Sequence, residues 1–182
     1  MTGTTRTGWT CSARCTGWTV VSWPRLGAIV ATEAARVLSE RLPTLASCVS
    51  VYDGDFWIHL LFDNGQEQDR FCSRPDYFDE DPQQAASLFA RWTGNPRIVA
   101  STTGAAAAEI APYLAPLRDE DYEEDEDRRA HPDDHSDLRD IWVFVDFWRH
   151  LGISYPTSHP LRRVKFAPGW DTALPTSTSW SL

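Results

Sequence analysis

The chain has 182 residues, 42% of them hydrophobic and 12% aromatic, with nine Trp; this excludes a disordered protein and suits one domain with a real core. It carries 26 acids and 17 bases, a net charge of −9, and the whole imbalance falls in one stretch, Asp119 to Asp137, which holds eleven acids and two bases. That distribution argues against nucleic-acid binding, where phosphate contacts dominate affinity, and no apolar run is long enough to suggest a membrane span.

Sixteen of the seventeen bases are Arg, with Lys165 the only lysine. So uniform a bias reads as codon usage in a GC-rich genome rather than as selection for bidentate pairing. Cys11, Cys15, Cys48 and Cys72 stand in a sequence without a secretory leader pattern, which suggests reduced thiols in the cytoplasm.

In chain order, residues 1–16 are Thr-, Gly- and Ser-rich and are expected to form a flexible tail. Trp18 to Trp23 reads as a short strand. Pro24 then suits the first turn of a helix reaching about Leu42, with Val30, Ala34, Val37 and Leu38 on its apolar stripe. From Ser47 to Cys72 the pattern predicts a three-stranded meander, because Asp53-Gly54 and Asn64-Gly65 are both hairpin signals. Tight turns would set Val51 opposite Phe56 and align Val49, Ile58 and Phe71 on the core face. Trp57, Leu61 and the cross-row Cys48, His59 and Arg70 would then lie on the other face.

After the Pro75-Asp76-Tyr77-Phe78 turn, a helix is expected from Asp79 to about Thr93, with a short segment around Ile98 and Val99 beyond it. Ala105 to Leu114 reads as another helix. The acidic stretch 119–137 reads as a solvated loop. A broad apolar face, including Leu138, Ile141, Trp142, Val145, Trp148 and Leu151, then predicts a buried helix from about Leu138 to Leu151, stopped by Gly152. The expected architecture is α+β: one domain over residues 17–160, a small antiparallel β-meander sheet with helices packed on one face, and an acidic loop before a buried aromatic helix. Residues 161–182 would form an irregular C-terminal tail.

Several segments taken together resemble a family of small acidic bacterial proteins with no assigned activity. The first is Asp55-Phe56-Trp57-Ile58-His59-Leu60-Leu61-Phe62-Asp63-Asn64-Gly65, with Asp69-Arg70-Phe71 and Pro75-Asp76-Tyr77-Phe78. The second is His131-Pro132-Asp133-Asp134, followed by Asp146-Phe147-Trp148, Leu151-Gly152 and Tyr155-Pro156. The likeness spans roughly residues 47 to 156, and Cys72 stands where such relatives often carry Asn. It implies that the meander and the final helix belong to one domain, and it implies no reaction.

Chemistry is sparse. His131, Asp133, Asp134, His135 and Asp137 offer metal-ligating side chains, but they lack the Gly and terminal Glu of a calcium loop, and Arg128 and Arg129 adjoin them. The reading is therefore a solvated loop with no metal. Cys48, His59 and Cys72 read as half-buried groups on a sheet face rather than a zinc site or nucleophile. His150, four residues after Asp146, could be a base with its orienting acid, although such pairs more often line a helix surface. No phosphate loop or nucleophile elbow occurs, so no cofactor is expected.

These features favour a non-enzymatic protein-binding factor of the cytoplasm, by analogy an immunity or antitoxin type, whose partner carries a basic surface. Trp57, Asp76, Tyr77 and Phe78 would anchor that partner, and Glu123, Glu124, Asp125 and Glu126 would steer it. The rival expectation is a small-ligand binder or enzyme with a pocket between the meander and the last helix, drawing on His59, Asp76, Asp146 or His150. The two part on whether those four groups converge on a concave pocket.

Overall fold

Two turns of different length organise the meander. The strands are β3 (Leu45–Tyr52), β4 (Phe56–Asp63) and β5 (Gln66–Cys72), in spatial order β3-β4-β5 and antiparallel throughout. The computed structural model describes residues 9–11, 17–22, 28–77, 81–122, 127–156 and 162–164. At the second turn Asn64 and Gly65 both take positive φ, 49° and 78°, between Asp63 and its partner Gln66, the geometry of a two-residue hairpin loop.

The first turn holds three residues, Asp53 to Asp55, between the paired Tyr52 and Phe56. That length corrects the expected register by one residue: Val51 pairs with Trp57 rather than Phe56, and Val49 with His59 rather than Ile58. Between β4 and β5 an irregularity at Leu61/Phe62 leaves Gln68 unpaired and makes a second one-residue shift, so Phe71 also lies opposite His59. Because side chains alternate across a strand, the slip inverts the faces. Trp57, His59 and Leu61 are the residues that meet the larger core.

That core joins Trp57, Leu61 and Phe71 to Val99, Ile110, Tyr113, Leu114, Phe144, Phe147 and Trp148. A second cluster, Cys48, Leu60 and Phe62, packs against Ala31 and Ala35 of helix α1 (Ala28–Arg41) and Trp92 of helix α2 (Pro82–Trp92). The sheet is therefore covered on both faces, not on one. Residues from Phe56 to Phe62 are buried on both sides apart from the half-buried Ile58.

Helix α1 is tied to the second hairpin at its end. The buried Ser39 hydroxyl donates to Thr44 O (2.7 Å) and accepts from Gly65 N (3.1 Å). A Cβ at Gly65 would lie 2.8 Å from Glu40 Cβ, so both the turn and the close approach require glycine there.

Residues 96–103, expected only as a short segment, form helix α3 (Pro96–Thr103). The Asn95 side chain caps it by accepting from Arg97 N and Ile98 N, Pro96 fills its first turn, and Gly104 at φ 83° ends it. The Ala-rich helix divides into α4 (Ala107–Ile110) and a 3-10 turn (Ala111–Leu114), where Pro112 has no N–H to continue the ladder. Asp69 on β5 binds this region to the sheet by accepting from Asn95 N at 2.7 Å; burial pushes its carboxyl up to about 6.

A short helix α5 (Asp119–Tyr122) and helix α6 (Val143–His150) flank this part of the chain, in which residues 127–142 are irregular. Helix α6 is shorter than its apolar pattern predicts. The Asp137 and Asp140 carboxylates accept from Arg139 N and Trp142 N at 2.8 Å each, so side chains compete with the helical ladder over residues 138–142.

Strands β1 (Trp9–Cys11), β2 (Val21–Ser22) and β6 (Arg162–Val164) form a separate small sheet in the order β2-β1-β6, independent of the meander. Strands β1 and β6 come from stretches expected to be tails, and β2 lies within the expected strand Trp18 to Trp23. Trp18 and Val20 pack against the main core.

Candidate functional site: the acidic segment and the last helix

The second half of the acidic stretch is built into the fold. This corrects the expectation of a solvated loop. The side chain of Asp134 is fully buried, and it lies against Tyr113, whose hydroxyl is 2.7–2.8 Å from both carboxylate oxygens and donates its proton there. The same carboxylate accepts from His131 N (2.9 Å) and from Arg149 Nη2 on α6 (2.7 Å). Burial and the adjacent Asp134 hold the Tyr113 hydroxyl well above its ordinary value, which keeps it a donor.

Asp146, 1% exposed on α6, reaches back to the same segment. It accepts from His135 N (3.0 Å) and Ser136 N (2.9 Å), and faces His135 Nδ1 at 3.2 Å. Two inward carboxylates thus satisfy the backbone amides of a segment that has no ladder of its own. Arg149 sits between them, 2.6 Å from Asp133, 2.7 Å from Asp134 and 3.7 Å from Asp146.

Three further acids of the stretch follow the same rule. Asp137 accepts from Arg128 N and pairs with Arg139, whose guanidinium holds its carboxyl well below the usual carboxylate range. Asp121 pairs with Arg128 and Asp127 with Arg129. The five ligand-type residues of the sequence reading are therefore engaged in protein contacts, Asp133 and Asp134 with Arg149, His131 with Glu109 O, His135 with Asp146 and Asp137 with Arg139. Among the described residues no group of three or more could hold a metal ion.

The four residues of the rival reading do not converge. His59 lies fully buried beneath Phe147, their ring centroids 4.9 Å apart, with Nε2 2.9 Å from Ser47 Oγ. A serine hydroxyl beside an imidazole is the beginning of a nucleophile–base pair, but Nδ1 has no partner to orient it. Trp148 Nε1 instead donates to the same hydroxyl at 2.9 Å, which makes Ser47 a polar link inside the core. Asp76 stands half-buried in the turn after β5. His150 faces Glu109 at 3.0 Å rather than Asp146, and its ring lies 4.7 Å from that of His131.

Burial depresses the His59 imidazole from 6.5 to about 3, because the charged form would lose its water. Its folded value lies below the unfolded one, so the contribution to stability is fully present above about pH 6.5 and is lost as the pH falls toward 3. His59 by itself should lower the unfolding free energy by up to about 1.4 kcal/mol per pH unit through this window, while Asp69, raised to about 6, acts in the opposite sense between about pH 6 and 4. Urea unfolding of the native chain and His59→Gln at pH 7, 6, 5 and 4 isolates the histidine: the stability of the native chain relative to the variant should fall with pH at that rate.

Of the expected anchors, Trp57 is 2% exposed and packs on Phe71 and Phe147, so it is a core residue and cannot meet a partner. The register slip is the reason. Tyr77 is exposed and closes on the first hairpin: its hydroxyl donates to Asp55 at 2.8 Å and its ring lies 5.1 Å from Phe56. Phe78, Glu123, Glu124, Asp125 and Glu126 lie outside the described residues.

The interface between meander and α6 is packed by Trp57, Phe71 and Phe147 among the described residues. A groove of about 640 Å³ lies on another side of α6. Its walls include Trp142, Val145, Ile153 and Tyr155, with Asp146 and Arg149 at its polar part. Trp142 is 51% exposed although Phe144 stacks on it, centroids 5.9 Å apart, and Tyr155 meets it edge-on at 6.2 Å. Sequence reasoning assigned Trp142 to the apolar stripe of a longer helix. The carboxylate of Asp140, two residues earlier, was the available signal that the helix starts after it.

Comparison of the chain with known protein families, with described proteins and with solved structures finds no match. Among the described residues no helix is long and apolar enough to cross a membrane.

Proposed function

We propose that this chain is a non-enzymatic, cytoplasmic binding factor that meets a partner through the partner's basic surface, in the manner of an immunity or antitoxin protein. The observation that carries the reading is the division of negative charge. From Asp127 to Asp137 each acid is paired with an arginine of the same chain. The preceding run, Asp119 to Glu126, has seven acids and no base interleaved in its sequence, and Asp121 at its helical start bridges to Arg128. A sequence run of one sign of charge raises the local concentration of an oppositely charged partner and speeds encounter.

The engagement of His59, Asp146 and His150 in contacts that hold the fold supports the same reading, as does the exposed Trp142 beside an apolar groove. Such aromatics anchor interfaces.

The quadruple variant Glu123→Gln, Glu124→Gln, Asp125→Asn, Glu126→Gln tests it. At low ionic strength it should retain the native melting temperature and lose about tenfold or more of its recovery of a basic protein from extracts of its source cells. Undiminished recovery would overturn the proposal.

A further inference from the structure

We propose that the groove beside α6 is the seat for an arginine side chain of the partner, held over the Trp142 indole. This rests on the binding reading above and adds the site and the chemistry of the contact.

Two observations point there. The first is shape and composition. Trp142 and Tyr155 stand at 73° to one another, as two walls, in a cavity of about 640 Å³ that is also lined by the half-buried Val145 and the buried Ile153. Phe144 backs Trp142 at an interplanar angle of 29°, so the indole is braced while half of the residue stays accessible. Braced rings at an angle suit a cation with a flat or apolar body, which gains from the electron-rich ring face.

The second is charge. Arg149 lines the groove and would by itself repel a cation, but it is surrounded by Asp133, Asp134 and Asp146 at 2.6, 2.7 and 3.7 Å. Three carboxylates against one guanidinium leave the cluster at −2. Asp133 is 68% exposed, so the excess reaches solvent. His135, 85% exposed and 3.2 Å from Asp146, and Ser136 complete the polar part. The groove is thus apolar and aromatic on one side and anionic behind the other. A guanidinium matches both, because it stacks on aromatic rings and pairs with carboxylates; an acidic side chain or a purely aliphatic one matches only half.

The test uses the full chain and three blocked tripeptides, Gly-Arg-Gly, Gly-citrulline-Gly and Gly-Glu-Gly, titrated while the indole N–H resonances are followed by NMR. The citrulline peptide has nearly the shape of the arginine one without its charge. The arginine peptide should shift the Trp142 resonance saturably, at least tenfold more tightly than either of the others. Trp142→Ala should abolish binding of the arginine peptide, followed in that variant by the backbone amide resonances of Val145, Ile153 and Tyr155, while keeping the native circular-dichroism spectrum, since the residue is half exposed. Equal response to citrulline would overturn the proposal in favour of an apolar site, and preference for the glutamate peptide would overturn it in favour of Arg149 as the ligand group. The outcome is separable from that of the acid-run variant. If Trp142→Ala leaves partner recovery intact while acid neutralisation removes it, the seat is wrong and the binding reading stands; if acid neutralisation has no effect yet arginine still binds, the reverse holds.

Discussion

Replacing Asp134 by alanine is expected to destabilise the protein by about 2–4 kcal/mol, the cost of leaving donors beneath the surface without their common acceptor. The carboxylate is the common acceptor for Tyr113, His131 N and Arg149. Without it the Tyr113 hydroxyl, on a residue only 2% exposed, is left beneath the surface with no acceptor, and Arg149 loses one of its three carboxylates. Urea unfolding at neutral pH measures the loss. Asp134→Asn keeps the shape and one acceptor oxygen but not the charge, so it should lie between alanine and the native chain. If Asp134→Ala cost less than about 1 kcal/mol, as a substitution in a solvated loop would, the account of this segment as part of the core would fail.

The second large effect is expected at Trp57. Its indole packs 4.7 Å from Phe71 and 5.8 Å from Phe147, centroid to centroid, between the sheet and α6. Trp57→Ala removes the largest of the fully buried side chains and leaves a cavity that three elements line, a change that costs about 3–5 kcal/mol. Trp57→Phe preserves most of the contact and should cost about half as much. The two variants also separate this residue from a surface anchor. An anchor would lose partner recovery with stability unchanged, whereas a core residue loses stability first.

The contrast at Trp57 shows how far the amino-acid pattern could be read. Asn64-Gly65 led directly to the second hairpin, and the alternation of apolar residues led to three strands. The faces were another matter. They depended on whether the first loop held three residues, and on Gln68 being skipped, and neither is marked by residue type. Helix α3 carried its boundaries openly in Asn95, Pro96 and Gly104, yet its eight residues were short enough to pass for a connection. Pro112 was visible near the end of the Ala-rich run, and it divides that run as its missing N–H requires.

The acidic stretch departs from the solvated loop expected of it for a different reason. Counting charge along the chain treats each carboxylate as facing water unless a base lies nearby in sequence. Arg128 and Arg129 were near enough to be noticed, but Tyr113 and Arg149 reach Asp134 from 21 and 15 residues away. Folding brings them there because the apolar stripe of α6 packs on the same core as Tyr113. Of the candidate groups, Asp146 and His150 were recognised as important positions, but with each other as partners; the observed partners, His135 and Glu109, come from other segments.

The link from Trp148 through the Ser47 hydroxyl to His59 has a consequence beyond its own strength. An oily helix laid on an oily sheet can slip by a turn at little cost, since one aliphatic contact substitutes for another. A directional bond sunk within that greasy layer admits a single seating, because every other one strands an indole N–H away from water. Helix α6 is thereby indexed against the strands, and the groove on its far side inherits a defined position.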